Sequence, residues 1–129
     1  MFDRYIIVED TLRNVEGDDA VTGYAVDTRI GYYRGLGLSM VDFDLEVDGQ
    51  PIPKDRITFR VHDTDYPATS LGDVYDDRWG FGEAATLIVD QPGGLASGEH
   101  EVHYHQRLRI SYLPVPSQND DTKVMSVAG

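Results

Sequence analysis

The histidines are the residues best placed to do chemistry. His100, His103 and His105 lie close together. His103 and His105 are two apart in an alternating stretch, so a β-strand puts both imidazoles on one face, a workable spacing for two ligands of one metal ion. A complete site needs at least one more ligand. Where a glutamate would follow after three or four intervening residues stand Arg109 and Ile110. Arg107 and Arg109 extend the same face and would repel a cation. The reading that asks least is a solvated cationic ladder lying beside an acidic strand, with Asp42, Asp44 and Glu46 as the natural counterface.

Carboxylates are the other candidates. Asp63, Asp65, Asp73, Asp76 and Asp77 populate one stretch. General acid–base work requires a pKa displaced by burial or by a close neighbour, and sequence order supplies neither, so solvation is the default expectation. Asp63-Thr64-Asp65 resembles the opening of a calcium loop, but the remaining spacing is missing. There is no cysteine, no Gly-x-Ser-x-Gly elbow and no phosphate-cradling loop ending in Gly-Lys. The glycines between Gly31 and Gly37 follow no dinucleotide-binding pattern.

The elements that must position these residues have a period of two. From Ser39 to Asp48 apolar and acidic residues alternate, which predicts a strand with Val41, Phe43, Leu45 and Val47 facing a core and Asp42, Asp44, Glu46 and Asp48 facing out. Tyr5–Val8, Val21–Ile30, Ile57–His62, Thr86–Val89 and Glu101–Tyr112 also read as strands. Turn signals separate them at Glu16-Gly17-Asp18-Asp19, Asp48-Gly49 and Gln91-Pro92-Gly93-Gly94. No stretch sustains a helical period. This pattern predicts an all-β fold: one antiparallel, jelly-roll-like β-sandwich over residues 1–114, with a long loop at 63–83 crossing one end and residues 115–129 as an extended tail.

The 129 residues suit one domain. A formal net charge of −12 excludes the cationic footprint that nucleic acid or an anionic membrane demands. No apolar run approaches a membrane span, and the start of the chain shows no leader pattern. With no cysteine, the expected setting is the cytoplasm.

Two segments stand out. Gly31-Tyr32-Tyr33-Arg34-Gly35-Leu36-Gly37 and Arg78-Trp79-Gly80-Phe81-Gly82-Glu83 each combine aromatic residues, an arginine and glycines in a turn-like setting. Aromatic and arginine side chains dominate interface hot spots. Tyr32, Tyr33, Arg34, Arg78, Trp79 and Phe81 are therefore expected to face a partner or substrate. For Trp79 and Phe81 a place in the core is the equal alternative.

The first of these segments running on through Leu38-Ser39, then the Val47-Asp48-Gly49 turn, then Arg78-Trp79-Gly80-Phe81, Pro92-Gly93-Gly94-Leu95, Gly98-Glu99-His100 and Ser111-Tyr112-Leu113-Pro114 form an ordered series that resembles the small (beta) subunit of bacterial C-glycoside deglycosidases. The resemblance implies a β-sandwich paired with a larger TIM-barrel (alpha) subunit. It implies that the larger subunit holds a divalent metal, manganese, and the acid–base residues. The implied substrate is a 3-oxo-C-glycoside whose ketone acidifies the adjacent C–H. Proton abstraction and elimination then break the bond between the sugar and an aromatic aglycone, with the metal stabilising the enolate. No catalytic, cofactor or metal residue is assigned to the present chain, which is expected to be inactive alone. Two other readings stay open: a stand-alone carbohydrate-binding sandwich using Tyr32, Tyr33 and Trp79 as stacking platforms, and a small cupin-like metalloenzyme using His103 and His105.

Overall fold

A computed structural model describes residues 6–31, 35–80, 82–110 and 113–127. Eleven strands appear among them: β1 (Arg13–Glu16), β2 (Val21–Arg29), β3 (Leu36–Gly37), β4 (Val41–Val47), β5 (Gln50–Pro51), β6 (Ile57–Val61), β7 (Thr64–Pro67), β8 (Arg78–Trp79), β9 (Ala84–Asp90), β10 (Gly98–Leu108) and β11 (Ser117–Val127). Three short 3-10 turns, Leu38–Met40, Lys54–Arg56 and Ala68–Asp73, are the only helical pieces described.

The strands build an antiparallel sandwich. One sheet runs β1-β2-β9-β6-β7, the other β11-β10-β4-β5, and a two-stranded ribbon joins β3 to β8. Period-two alternation decides what each strand contributes. On β4, Val41, Phe43, Leu45 and Val47 are buried, while Asp42 and Asp44 are exposed. On β10 the buried set is Val102, Tyr104, Gln106 and Leu108. The two inner faces meet through aromatic rings: Phe43 of β4 lies 6.2 Å from Phe59 of β6 in the opposite sheet, and 5.7 Å from Tyr104 of β10, its neighbour in the same sheet. Tyr24, Val26, Leu87 and Val89 complete the layer from the five-stranded sheet.

Turn chemistry sets the registers. Val47 pairs with Gln50, leaving Asp48-Gly49 as a two-residue hairpin loop with φ of 53° and 79°, the left-handed pair that matches strand twist. Val61 pairs with Thr64 in the same way, but here the loop is His62-Asp63, with φ of 54° and 61°. Neither residue is a glycine or asparagine.

Three expectations need correction. Residues 63–83 are not one irregular loop: they contain β7, the turn Ala68–Asp73 and β8. The stretch after Pro114 is not a tail outside the sandwich. Its Ser117–Val127 is a full strand, paired with β10 from Gly98↔Val127 to Leu108↔Ser117, and Met125 and Val127 enter the core. Its low apolar content hid it, because the buried side at its centre is polar: Asn119 and Asp121. Asp121 accepts the Ile7 backbone N–H at 3.0 Å and the Lys123 ammonium at 2.9 Å. Finally, within Tyr5–Val8 the described residues Ile6–Val8 do not form a regular strand. Ile6 and Ile7 are buried, but within the described part only Ile7 makes a β-bridge, to Thr28.

Candidate functional site: the ribbon end of the sandwich

The histidine face of β10 is the ionic ladder expected. His103, His105 and Arg107 stand opposite Glu46, Asp44 and Asp42 of β4. Arg107 grips Asp42 through Nε (3.2 Å) and Nη2 (2.7 Å), and reaches Asp44 through Nη1 at 2.6 Å. Lys54 closes on Asp42 from the other side. Burial pushes the Asp42 carboxyl up, but the hydrogen bonds and charges of Lys54 and Arg107 outweigh it and hold the group below its ordinary value. Hydrogen bonding from Arg107 does the same for Asp44 against a smaller burial penalty.

The paired histidines do not share a vacant coordination point. Their nearer nitrogens converge on one atom, Asp120 Oδ1, at 2.9 Å for His103 Nε2 and 2.7 Å for His105 Nδ1. The other nitrogens face Glu46 and Gln118. Among the described residues no group of three or more His, Cys, Asp or Glu has metal-binding geometry.

The structure brings together parts of the two segments singled out for docking. Leu36 pairs with Trp79 and Gly37 with Arg78, and Leu38 N–H donates to Asp77 O at 3.1 Å. Alternation then separates the two β8 side chains: Arg78 is exposed, while Trp79 is completely buried. The indole meets Phe59 edge-on at 5.2 Å, and its Nε1–H donates to Glu83 O at 2.8 Å. Trp79 therefore is a core residue. It offers no face to a sugar or a partner, which corrects its assignment as an exposed contact. Tyr32, Tyr33, Arg34 and Phe81 lie outside the described residues.

Around this ribbon is a polar cluster that sequence reading missed. His62, at the tip of the β6–β7 hairpin, holds two carboxylates: Nδ1 to Asp77 Oδ1 at 3.2 Å and Nε2 to Glu83 Oε2 at 2.6 Å. Tyr66 OH donates to Asp77 Oδ2 at 2.7 Å. Each carboxylate also caps a backbone N–H of the ribbon: Asp77 accepts from Arg78 at 2.8 Å, and Glu83 from Gly80 at 2.7 Å. A side chain on Gly80 would run into the Glu83 carboxylate. Hydrogen bonds from Glu83, then Asp77, raise the His62 pKa above its ordinary value. Tyr66, Gly80 and His62 in turn help to lower the two acids. A carboxylate only accepts, so a ring bonded to one on each nitrogen donates to both only as an imidazolium. The only sequence signal was a two-residue gap, His62-Asp63, between two short alternating runs, and it lacks the usual glycine.

Beyond the ribbon, Met40, Leu113 and Val115 are exposed apolar side chains that line an open groove with Arg109. Arg109 N–H donates to Met40 O at 2.9 Å, so the groove is continuous with the turn that follows β3. Beneath lies a buried anchor. Gln106 accepts the Gly31 N–H at 2.7 Å and donates to Tyr104 OH at 3.0 Å, fixing where the Gly31–Gly37 segment departs from the sandwich.

With this geometry in place, comparison with known proteins is decisive. A model of the C-glycoside deglycosidase beta subunit family matches residues 2–112. The chain belongs to that family. Similar proteins include the C-glycoside deglycosidase beta subunit of Eubacterium cellulosolvens, 33% identical over 114 residues, covering 87% of this chain and 78% of that protein. The 3'-dehydrocarminate deglycosidase beta subunit of a Microbacterium species is 35% identical over 117 residues, covering 89% and 83%. The C-glycoside deglycosidase beta subunit of Arthrobacter globiformis is 31% identical over 110 residues, covering 81% and 84%. The family match includes the ribbon and the His62 cluster and stops before β11. Belonging to a family of beta subunits makes this chain one component of a heteromeric lyase-type enzyme.

Proposed function

We propose that this chain is the small subunit of a heteromeric C-glycoside deglycosidase and contributes a docking surface, while a larger TIM-barrel subunit carries the reaction. The observation that carries this reading is the family match over residues 2–112. The surface is the ribbon end of the sandwich: the β3–β8 pair, exposed Arg78 and the Met40–Val115 groove; Tyr32, Tyr33, Arg34 and Phe81, next to it in sequence, are kept as proposed contacts. It combines apolar area with arginine in an otherwise acidic chain, the mixture that interfaces favour.

The substrate class is a 3-oxo-C-glycoside with an aromatic aglycone. The name of the Microbacterium relative, which specifies a 3'-dehydro substrate, fits that class. A base in the larger subunit removes the proton beside the ketone, and elimination breaks the sugar–aglycone carbon bond. A divalent metal there, manganese, supplies stabilisation of the enolate. The cytoplasm is the proposed site of action.

The test is reconstitution. The chain and a candidate TIM-barrel large subunit would be purified separately and together, then assayed with a 3-oxo-C-glycoside. Neither activity nor saturable glycoside binding is expected from this chain alone, and cleavage is expected from the pair. Full activity of the isolated chain would overturn the proposal.

A further inference from the structure

The docking ribbon is held at both ends by carboxylates. Asp77 caps Arg78 N–H and Glu83 caps Gly80 N–H, so the two acids bracket β8. One residue spans the bracket: His62, bonded to both. The hairpin that presents it keeps a histidine at φ 54°, where asparagine or glycine is the easier choice. Local strain is thus accepted at the position from which this ring reaches both acids.

We propose that His62 is a proton-dependent latch that keeps the β3–β8 ribbon in its docking shape, so that association with the larger subunit weakens as the pH rises. The link to association rests on the subunit reading above; the latch itself does not. When the imidazolium loses a proton, the neutral ring can donate to only one carboxylate and turns a lone pair toward the other. The repulsion between Asp77 and Glu83 is then unopposed at the ring. Their hold on Arg78 and Gly80 loosens together.

Among the described residues, the charged and titratable groups facing His62 are few. Glu83 comes from the segment after β8, and Asp77 from the irregular segment leading into β8. From β7 comes the Tyr66 hydroxyl, which reaches the ring through Asp77 and is itself pushed up to about 12 by that hydrogen bond, so it does not titrate near neutrality. Asp76 acts on Tyr66. Asp63, the neighbour in the turn, acts on Arg60, which is paired with Asp65. Among these groups His62 alone changes charge near pH 7. Because its folded pKa is raised, its contribution is complete below about 6.5 and is lost as the pH climbs through the folded value.

His62→Asn is the discriminating variant. Asparagine suits the left-handed turn, so folding is preserved, but it does not titrate. In the isolated chain, NMR is expected to show the His62 ring titrating above 6.5, with the Arg78 and Gly80 amide signals moving at the same midpoint and staying flat in His62→Asn. Association with the larger subunit, measured by calorimetry from pH 6 to 9, is expected to weaken by about fivefold or more in the wild type, the low end of coupling between linked sites, and to be nearly constant in His62→Asn. A ring midpoint at or below 6.5, immobile Arg78 and Gly80 amides, or the same pH slope in both proteins would overturn the latch. If no complex forms at any pH while the ring and amides titrate together, the subunit reading fails and the latch stands.

Discussion

Trp79→Ala separates a core role from an interface role. The indole is completely buried, packs edge-on against Phe59 and spends its N–H on Glu83 O. Truncating a buried aromatic side chain to alanine costs about 3–5 kcal/mol through lost transfer energy and the cavity left behind. The unmade bond to Glu83 places the value toward the upper end. For a chain of this length an unfolding entropy of about 2 cal/mol/K per residue converts each kcal/mol into about 4 °C, so the isolated chain should melt about 10–20 °C lower. Urea denaturation of the isolated chain, followed by circular dichroism because the single tryptophan is removed, gives the free energy directly. A melting point lowered by less than about 3 °C, together with lost binding to the larger subunit, would refute the core assignment.

Other consequences are equally direct. Ending the chain at Pro116 removes β11 and should leave a protein that aggregates or shows no cooperative melt by calorimetry, because β10 would expose a full-length edge; a dispensable tail would leave the melt unchanged. Gln106→Leu strands the Gly31 N–H and should cost about 1–3 kcal/mol in urea titration. Arg107→Ala breaks a partly exposed bridge to Asp42 and Asp44 and should cost about 1 kcal/mol, shrinking in high salt; it should also move the acid unfolding midpoint upward. That sign follows because both carboxyls are depressed in the fold, so their contribution is present above the ordinary value and is lost as the pH falls through the folded one.

The alternation of Val41–Val47 was enough to assign which face of β4 is buried, and the same alternation on β10 placed His103, His105 and Arg107 opposite the acids that pair with them. These are consequences of backbone geometry, which repeats every two residues whatever the tertiary context. What sequence could not settle was depth. Trp79 and Arg78 are adjacent and both suit interfaces, and only the pairing of Leu36 with Trp79 decides which points inward. β11 was missed because a strand can bury polar residues such as Asn119 and Asp121 beside a partner strand, with the Ile7 N–H there to satisfy Asp121, and such partners are remote in sequence. The His62 cluster was illegible for the same reason: its members come from β7, from the hairpin before it and from both ends of β8.

That distribution bears on how the proposed docking face would be kept specific. Two strands of two residues each make too few backbone hydrogen bonds to hold a shape by themselves. The ribbon is instead fixed from three sides: Trp79 anchors it in the core, Gln106 fixes the start of the preceding segment, and the carboxylates bridged by His62 cap its N–H groups. Each support is a side chain from a regular part of the sandwich or beside one. A face built this way is preorganised before the partner arrives, which lowers the ordering cost of association. It also leaves one support, the His62 ring, near enough to solvent to respond to pH, as the proposed latch requires.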